Sequence, residues 1–428
     1  MEAVILSGGK GTRLKEFSKS LPKCLVEING KAVIEHQFDR LKENGIRGVK
    51  LLLGHQSTSV VNFLKSNDFF NLDIEIIVEP SALGTGGALS QIKSISDDFL
   101  ILSGDIIFDI DIKKLYDYHI SQKSLITLVS HPNDHPFDSD IIEIDGNEKV
   151  TNVIKKGTNV KFYNNLVNSG IYVANREFLR NIESKKSDIV NDIIVKHIRK
   201  KSAVFSYNTS EYIKDMGTPE RISQVSTDVK SGLVKSRNLK NKQVAVFLDR
   251  DGVINEEVND LTHYSMFKFI PGSTESLNLL NKSKFLSIVV TNQPAVAKGF
   301  CELSDVHDTH KYMETELGKL NTKVDNIYFC PCHPEKGFAG ENKLYKRECS
   351  FRKPDIGMFK EAEKKYNLDL AKSYIVGDRT VDIKAGSDAG TQTILVRTGY
   401  SGNDKKYNVK SDYICDDLLS AVKQVILK

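Results

Sequence analysis

The sequence lacks an excess of charge of either sign. It has 60 Lys and Arg residues against 56 Asp and Glu residues, which gives a net charge of +4 over 428 residues. A balance this even gives no support to nucleic-acid or membrane-surface partners, which need strongly basic patches. The charged fraction of 27% and the apolar fraction of 40% are ordinary for globular proteins and exclude wholesale disorder and collagen-like repeats.

Long apolar runs are also missing. No stretch approaches the roughly 18 apolar residues of a membrane-spanning helix. The chain opens with MEAVILSGG, in which an acid and a run of four apolar residues replace the basic start and longer apolar core of a signal peptide. We therefore expect a cytoplasmic protein without a membrane partner.

Cysteine is scarce, and the six residues present are too few for a disulfide scaffold in a chain of this length. In a reducing compartment they are expected to be thiols or metal ligands. Three of them, Cys330, Cys332 and Cys349, lie close together, which indicates a local role.

Internal repeats and low-complexity tracts are absent, and short apolar runs alternate with helical patterns instead. Strands are predicted at 2–7, 49–53, 73–78, 98–103, 244–249, 285–291, 325–329, 373–377 and 392–396. Helices are predicted at 31–45, 57–66, 84–95, 272–283, 303–319, 355–367 and 380–388. This alternation predicts an α/β fold with two Rossmann-like domains, mainly parallel sheets, and ligands at the carboxyl ends of strands.

The domain boundary is predicted in the stretch KSGLVKSRNLKNK at 230–242, which carries five basic residues and no acid. Such a stretch is typical of a solvated linker. We place one domain at 1–228, a basic linker at 229–243 and a second domain at 244–428.

The first predicted strand runs directly into SGGKGTRL at 7–14. Glycines allow backbone N–H groups to approach a phosphate, and Lys10 and Arg13 add positive charge. The loop is neither a Walker A motif nor a GxGxxG dinucleotide motif. Taken alone it could equally be a tight strand–helix turn.

A longer series of motifs follows in order: LPKCL at 21–25, EPSALGTGGAL at 79–89, SGD at 103–105, NSGIY at 168–172 and IKDMGTP at 213–219. Over roughly residues 1–225 this series resembles the sugar-1-phosphate nucleotidyltransferases. The resemblance implies that the 8–13 loop cradles a nucleoside triphosphate, that Arg13 stabilises the departing pyrophosphate and that Lys23 holds the reacting phosphate. It further implies nucleotide and sugar contacts from Leu6, Gly8, Gly9, Gly11, Thr12, Gly84, Lys156, Asn168 and Gly170.

The same resemblance implies that Asp105 and Asp215 bind Mg²⁺. Without the other motifs, Asp105 would be interpreted as a helix N-cap and Asp215 as a turn residue. Lys156 follows Lys155, where many members of the family carry Glu, so a solvated lysine pair is an equal alternative there. HPNDHPFDSDIIEID at 131–145 and NLVNSGIYV at 165–173 are most similar to guanylyltransferases of D-glycero-α-D-manno-heptose 1-phosphate, which implies GTP as the nucleotide.

In the second half, FLDRDGVIN places Asp249 and Asp251 two residues apart after an apolar strand. At this spacing both side chains point to one side, which suits a nucleophile and an acid/base partner sharing Mg²⁺. A helix-capping turn is the alternative for the pair alone. Further polar residues follow other strand ends or precede a helix: Thr291, Asn292, Arg352, Lys353, Asp378 and Asp382.

Over about 244–400 this set resembles the haloacid dehalogenase superfamily, in particular its heptose bisphosphate and histidinol-phosphate phosphatases. The resemblance implies that Asp249 forms an aspartyl-phosphate, that Asp251 protonates the leaving group and then activates water, and that Thr291 and Lys353 bind phosphoryl oxygens. Asp249, Asp251 and Asp378 would hold Mg²⁺, with Asp251 contributing its backbone carbonyl, and Asn292 and Arg352 would contact substrate. Asp382 would orient the lysine or metal-bound water. The intervals between these motifs leave no room for a large cap domain.

The loop FCPCHPEKGF…KRECSFRKP at 329–354 corresponds to a structural zinc loop in the same branch. Cys330 and Cys349 match two ligands, Cys332 stands where His is usual, and Phe351 stands where the last Cys is expected. A Zn²⁺ site of Cys330, Cys332, His333 and Cys349 and a degenerate loop with free thiols both remain open.

Together the two resemblances imply a bifunctional enzyme of GDP-heptose synthesis for lipopolysaccharide or an S-layer glycan. Its substrates would be heptose 1,7-bisphosphate, heptose 1-phosphate and GTP. One alternative is a hexose- or mannose-1-phosphate nucleotidyltransferase fused to a histidinol-phosphate-type phosphatase. Another is a sugar-nucleotide-binding regulator with one inactive half. A homo-oligomer is left open.

Overall fold

The structure is a computed structural model that describes residues 1–9 and 21–428. It divides into two compact units. Unit 1 comprises 1–131, 140–156 and 166–238, and unit 2 comprises 132–139, 157–165 and 239–428. The division falls after Asn238, inside the range 229–243, but this range contains the helix Leu233–Ser236, and Arg237 and Asn238 are buried rather than solvated. Unit 2 also takes in 132–139 and 157–165, which the sequence analysis placed in the first domain. Among the described residues, no helix combines the length and apolar character needed to cross a membrane.

Unit 1 alternates strands and helices, as predicted for an α/β fold. Its strands are β1 (Glu2–Ser7), β2 (Glu27–Ile28), β3 (Lys31–Ala32), β4 (Gly48–Leu53), β5 (Asp73–Val78), β6 (Asp98–Ser103), β7 (Ile106–Asp109), β8 (Ile126–His131), β9 (Ile141–Ile144), β10 (Val150–Ile154), β11 (Val167–Asn175), β12 (Val204–Asn208) and β13 (Tyr212–Asp215). Its α-helices are α1 (Val33–Glu43), α2 (Ser57–Ser66), α3 (Gly84–Gly87), α4 (Ile112–Ser121), α5 (Val195–Arg199), α6 (Pro219–Ser231) and α7 (Leu233–Ser236). Single 3-10 or π turns lie at Lys23–Leu25, Asp68–Asn71, Ala88–Gln91, Arg176–Leu179 and Ile189–Ile194.

The main sheet of unit 1 has the order β10-β9-β11-β6-β1-β4-β5, and β8 joins β11 to β12. The β6-β1-β4-β5 section is parallel, whereas β11 runs antiparallel to β6, β8 and β9. Alternate residues of β1 enter different cores: Ala3 and Ile5 pack on one face of the sheet and Val4 on the other. A strand buried on both faces reads as a continuous apolar run, which is why β1 is predictable from sequence.

Unit 2 contains a second α/β sheet. Its strands are β14 (Val244–Leu248), β15 (Phe285–Asn292), β16 (Asn326–Cys330), β17 (Tyr374–Gly377), β18 (Gln392–Val396) and β19 (Tyr413–Cys415). Its α-helices are α8 (Ser273–Asn281), α9 (Ala295–Lys298), α10 (Leu303–Lys319), α11 (Gly357–Tyr366), α12 (Thr380–Ala389) and α13 (Leu418–Ala421). Single 3-10 or π turns lie at Pro136–Asp138, Tyr264–Met266, Leu370–Lys372 and Val422–Ile426.

All the paired strands of this sheet are parallel, in the order β16-β15-β14-β17-β18-β19. Val246 and Leu248 of β14 enter one core, and Ala245 and Phe247 enter the core on the opposite face. The strand order reverses between β14 and β17, and such a switch point is the usual ligand site of a parallel sheet. The predicted α/β class with largely parallel sheets is thus confirmed.

Helix α10 of unit 2 packs against the segment 157–165. The Phe162 and Tyr312 rings meet edge to face, with centroids 5.3 Å apart. The Tyr163 N–H donates to Thr315 Oγ1 and the Asn165 N–H donates to Glu314 Oε2, both at 3.1 Å. Unit 2 is therefore built from sequence segments on both sides of residues 166–238.

Candidate active sites

The first candidate site lies at the carboxyl ends of β1 and β6, the neighbouring strands between which the strand order of unit 1 reverses. A Cβ on Gly8 would collide with Glu79 Oε1, and a Cβ on Gly104 would lie 2.9 Å from the carbonyl oxygen of Leu6. The glycines thus leave the backbone free of side chains at the point where a phosphate loop requires close approach. The predicted loop residues Lys10, Gly11, Thr12 and Arg13 lie outside the described residues.

Two predicted metal ligands of this site come from adjacent segments. Asp105 follows β6, and Asp215 pairs in register with Ile106. Lys23 Nζ lies 2.8 Å from Asp105 Oδ2, and Arg221 Nη1 lies 2.7 Å from Asp215 Oδ2. Two carboxylates are hard oxygen donors of the kind that Mg²⁺ prefers, so the donor set fits this ion.

Two of the predicted sugar-side residues, Asn168 and Gly170, lie on β11, and Lys156 follows β10. Asn168 Nδ2 donates to Tyr172 Oη at 2.9 Å, while Asn168 Oδ1 is buried without a hydrogen-bond partner among the described residues. A Cβ on Gly170 would lie 2.6 Å from Ser103 Oγ. The Lys156 N–H donates to Asp140 Oδ1 at 2.9 Å, and the Lys156 side chain is exposed. The unsatisfied oxygen of Asn168 is an acceptor available to a ligand.

Glu79 is a site residue that the sequence analysis left without a role. It follows β5, its Oε2 accepts the Leu83 N–H at 2.9 Å, and its Oε1 lies beside Gly8. Burial raises the pKa of Glu79, and the hydrogen bond from Leu83 opposes this shift. The motif EPSALGTGGAL contains this acid directly before the glycine-rich turn, and that position was the available signal.

The second candidate site lies at the switch point of the sheet in unit 2. Asp249 follows β14 and Asp378 follows β17. The buried Lys353 amine pairs with Asp249 Oδ1 at 3.0 Å and with Asp382 Oδ1 at 2.6 Å. Although burial disfavours the charged amine, Asp249 and Asp382 raise the pKa of Lys353. The structure thus places Asp249, Lys353 and Asp382 in contact through the lysine amine.

Carboxylate oxygens of Asp249, Asp378 and Asp382 lie within 4.8 Å of one another. Burial, together with the neighbouring acids, raises the pKa of Asp249 to about 7 and that of Asp378 to about 8. Asp378 Oδ1 is buried without a hydrogen-bond partner among the described residues. Concentrated negative charge and an unsatisfied carboxylate oxygen fit a divalent cation.

Asp251 is held by a different set of groups. Its Oδ1 accepts from Asn255 Nδ2 at 2.8 Å, and its Oδ2 accepts from Gln293 Nε2 at 2.7 Å. Arg250 Nη2 donates to both oxygens at 2.9 Å. Burial would raise the pKa of Asp251, but Arg250 and the two amides lower it. Gln293 and Arg250 lie inside the motifs TNQ and DRD, yet neither motif alone indicates this contact.

The remaining predicted residues line one cavity of about 290 Å³, together with Asp249 and Asp251. Thr291 Oγ1 accepts from Gln293 Nε2 at 2.9 Å. Asn292 makes two hydrogen bonds of 3.0 Å to the backbone of Lys353, so it fixes the lysine loop. Arg352 Nη1 donates to the carbonyl oxygen of Cys332 at 3.0 Å and also lines the cavity.

The cysteine loop brings Cys330, Cys332 and Cys349 together, with their sulfur atoms within 4.8 Å of one another. Burial opposes ionisation of Cys349, but hydrogen bonds from the Phe351 backbone and the other two thiols lower its pKa. This group contains no atom of His333, whose Nδ1 is buried without a hydrogen-bond partner among the described residues. Three soft sulfur donors, one of them favouring the thiolate, fit a zinc ion.

Comparison with known proteins gives matches to both halves of the chain. The family described as nucleotidyl transferase matches residues 2–232, and the family described as HAD-hydrolase-like matches residues 350–421. The D-glycero-α-D-manno-heptose-1,7-bisphosphate 7-phosphatase of Burkholderia mallei is 39% identical over 158 residues, which cover 37% of this chain and 80% of that protein.

Two further proteins are similar to the N-terminal half. The bifunctional protein GlmU of Methanococcus maripaludis is 32% identical over 225 residues, which cover 51% of this chain and 52% of that protein. The crystal structure of HddC from Yersinia pseudotuberculosis complexed with GMP-PN is 24% identical, with a TM-score of 0.47, and the match covers 53% of this chain and 99% of that one.

Proposed function

Since the chain belongs to the nucleotidyl transferase family, and its C-terminal part to the HAD-like heptose-bisphosphate phosphatases, we propose that this bifunctional enzyme makes GDP-heptose. The phosphatase removes the 7-phosphate of D-glycero-α-D-manno-heptose 1,7-bisphosphate. The transferase then joins the resulting heptose 1-phosphate to GTP and releases pyrophosphate. The product is an activated sugar for a lipopolysaccharide or S-layer glycan.

One observation carries this proposal: a single chain combines a nucleotidyl transferase with a part 39% identical to a heptose-1,7-bisphosphate 7-phosphatase. Removal of the 7-phosphate leaves the 1-phosphate that a sugar-1-phosphate nucleotidyltransferase needs. The two reactions are therefore consecutive. We assign phosphate removal to 244–428 and nucleotidyl transfer to 1–228.

Phosphate removal follows from the positions of the two aspartates. Asp249 attacks phosphorus and forms an aspartyl-phosphate, and the bond from phosphorus to the sugar oxygen breaks. Asp251 must first take up a proton, against the contacts that lower its pKa. It gives this proton to that oxygen, then takes a proton from the water that cleaves the aspartyl-phosphate. Lys353, 3.0 Å from Asp249 Oδ1, and Thr291 at the cavity wall bind the phosphoryl oxygens.

A divalent cation at the three-carboxylate cluster supplies positive charge for the transferring phosphoryl group. Asp249 and Asp378 are the carboxylates that we assign to Mg²⁺, with Asp251 contributing its backbone carbonyl. Asp382 instead holds Lys353, which its 2.6 Å ion pair supports. In unit 1 we assign Mg²⁺ to Asp105 and Asp215.

Nucleotidyl transfer requires two polyanions to meet, so positioning and charge neutralisation supply most of the catalysis. A phosphate oxygen of the sugar 1-phosphate attacks the α-phosphorus of GTP, and the bond to the pyrophosphate oxygen breaks. We propose that Lys23 holds the reacting phosphate and that Arg13 stabilises pyrophosphate. The buried, unsatisfied Oδ1 of Asn168 supports its role as an acceptor for a sugar hydroxyl.

We propose that Glu79, which lies beside Gly8 at the first site, selects guanine as the base. Guanine presents N1–H and the N2 amino group side by side, and a carboxylate accepts both. Uracil and thymine present one N–H between two carbonyl oxygens, and these oxygens are repelled by the oxygens of a carboxylate. Glu79→Gln is expected to lower the preference for GTP over UTP, measured as a ratio of kcat/KM values, about 10- to 100-fold. An unchanged ratio would remove Glu79 from base selection.

We also propose that Cys330, Cys332 and Cys349 hold a structural Zn²⁺ that shapes the 329–354 loop. The three sulfur atoms lie within 4.8 Å of one another, which supports ligation to one ion. Arg352 donates to the carbonyl oxygen of Cys332, so an ordered loop would also fix a residue that lines the cavity.

A reconstituted assay tests the whole proposal. The protein is incubated with heptose 1,7-bisphosphate, GTP and Mg²⁺, and phosphate, pyrophosphate and GDP-heptose are measured over time. Asp249→Asn is expected to abolish phosphate release yet spare GDP-heptose formation from supplied heptose 1-phosphate. Asp105→Asn is the reciprocal variant, which is expected to lose transfer and retain phosphate release.

Several outcomes would contradict the proposal. Phosphate release from histidinol phosphate but not from heptose bisphosphate would overturn the phosphatase substrate. A preference for another nucleoside triphosphate would overturn GTP. Tight binding of sugar nucleotide without turnover at one site would favour a regulator with an inactive half. Loss of both activities in Asp249→Asn, with folding intact, would refute two independent sites.

A further inference from the structure

Arg250 lies between Asp249 and Asp251 in the sequence, and its side chain is completely buried. A buried guanidinium needs acceptors for its N–H groups. Its Nη2 donates to Asp251 and to Gln293 Oε1 at 2.9 Å, and its Nε donates to Asp251 Oδ1 at 3.2 Å. Its Nη1 lies 3.1 Å from Nε2 of His310.

His310 comes from α10, 60 residues further along the chain. Its side chain is buried, and its ring meets Phe329 edge to face with centroids 5.2 Å apart. Burial, Arg250 and His307 all lower the pKa of His310, so the ring is neutral and Nε2 is free to accept from Arg250. The residues that line the 290 Å³ cavity include Asp251 but not His310.

We propose that His310 is a positioning residue for proton transfer to the leaving group. It fixes Arg250, and Arg250 together with Gln293 fixes the carboxylate of Asp251. This inference rests on the proposed function, in which Asp251 is the general acid. His310 acts through Arg250 and touches neither the substrate nor the nucleophile.

The leaving group distinguishes this role from a merely structural one. A sugar alkoxide must be protonated as it departs, whereas 4-nitrophenolate leaves without a proton. The ratio kcat/KM reports the steps up to departure of the leaving group, because that step is the first irreversible one. Misplacement of Asp251 should therefore lower kcat/KM for an alkyl phosphate and spare 4-nitrophenyl phosphate.

The experiment uses the full chain with Mg²⁺ and compares heptose 1,7-bisphosphate with 4-nitrophenyl phosphate. His310→Leu is expected to lower kcat/KM about 10- to 100-fold for the sugar phosphate and less than about threefold for the aryl phosphate. His310→Gln keeps an acceptor and should restore most of the loss. His307→Leu is the matched control, because His307 also packs on Phe329 but makes no hydrogen bond to Arg250. This variant should leave kcat/KM unchanged for both substrates.

Equal losses on both substrates in His310→Leu would overturn the proposal, as would failure of His310→Gln to recover activity at an unchanged Tm. If His310→Leu does not fold, His310→Met, which fills the buried site but offers Arg250 only a weak sulfur acceptor, must show the same selectivity. Asp251→Asn distinguishes the general-acid role of Asp251 from the positioning role of His310. Selective loss in Asp251→Asn without selective loss in His310→Leu refutes the positioning role alone, and no selectivity in Asp251→Asn refutes the general acid and this inference together.

Discussion

Glu314 on α10 is expected to make unit 2 less stable as the pH rises. Its carboxylate accepts the Asn165 N–H at 3.1 Å, and burial raises its pKa from 4.5 to about 7. A carboxyl with a raised pKa in the folded state favours folding below its unfolded pKa, and this contribution is lost as the pH rises from about 4.5 through about 7. At about 1.4 kcal/mol per pKa unit the loss is about 3 kcal/mol, an upper limit because Glu314 retains some exposed surface.

Glu314→Gln removes the charge and keeps an oxygen that accepts the Asn165 N–H. The variant should therefore be more stable than the parent at pH 8, by up to about 3 kcal/mol, and nearly equal to it at pH 4.5. For a unit of this size that difference raises Tm by about 6–12 °C at most. Calorimetry of the full chain from pH 4.5 to pH 8 measures the difference.

Glu316 provides the control, because it lies on the same helix and pairs with Lys319 at the surface. Glu316→Gln should change Tm by less than about 2 °C at every pH, as expected for an exposed ion pair. A Glu314→Gln variant that is less stable than the parent at pH 8, or whose advantage does not vary with pH, would refute the reasoning.

Three further predictions concern single residues. Asp382→Asn removes a buried charge partner of Lys353 and should lower the kcat of phosphate release about 10- to 100-fold while nucleotidyl transfer stays unchanged; loss of both activities would contradict it. Cys349→Ser should reduce the bound zinc measured by mass spectrometry and lower Tm, and a parent protein purified without zinc would contradict the zinc assignment. Gly318→Ala places a Cβ 2.7 Å from Tyr163 Oη and should destabilise unit 2 by about 1–3 kcal/mol in urea unfolding, whereas an unchanged midpoint would show that the contact adapts freely.

The buried strands were predictable because an apolar run between turn signals leaves few alternatives. β1 and β5 occupy the predicted ranges 2–7 and 73–78, and α10 occupies 303–319. The predicted helix at 84–95 is wrong, since α3 ends at Gly87 and a 3-10 turn follows. Glycines fit this position because the backbone of 185–188 approaches it closely, a tertiary contact that no local pattern encodes.

The aspartates of the second site could be identified from sequence because they follow strand ends, where parallel sheets place their ligands. The side chains that contact these aspartates were harder to predict from sequence. His310 is part of an ordinary helical pattern, and only the fold shows that it faces Arg250. Asn292 was expected to contact substrate, yet its amide also fixes the backbone of Lys353, a contact that depends on the approach of two distant loops.

Unit 2 is made of three separate segments of the chain, and this limits when it can finish folding during synthesis. Residues 157–165 are synthesised well before α10. Phe162 and Tyr163 can pack on Tyr312 and bond to Thr315 only after that helix has been synthesised. A fragment that starts at Leu239 would leave Tyr312 without the ring of Phe162. A permuted or split gene that encodes the whole of unit 2 would therefore have to carry 132–139 and 157–165 with it.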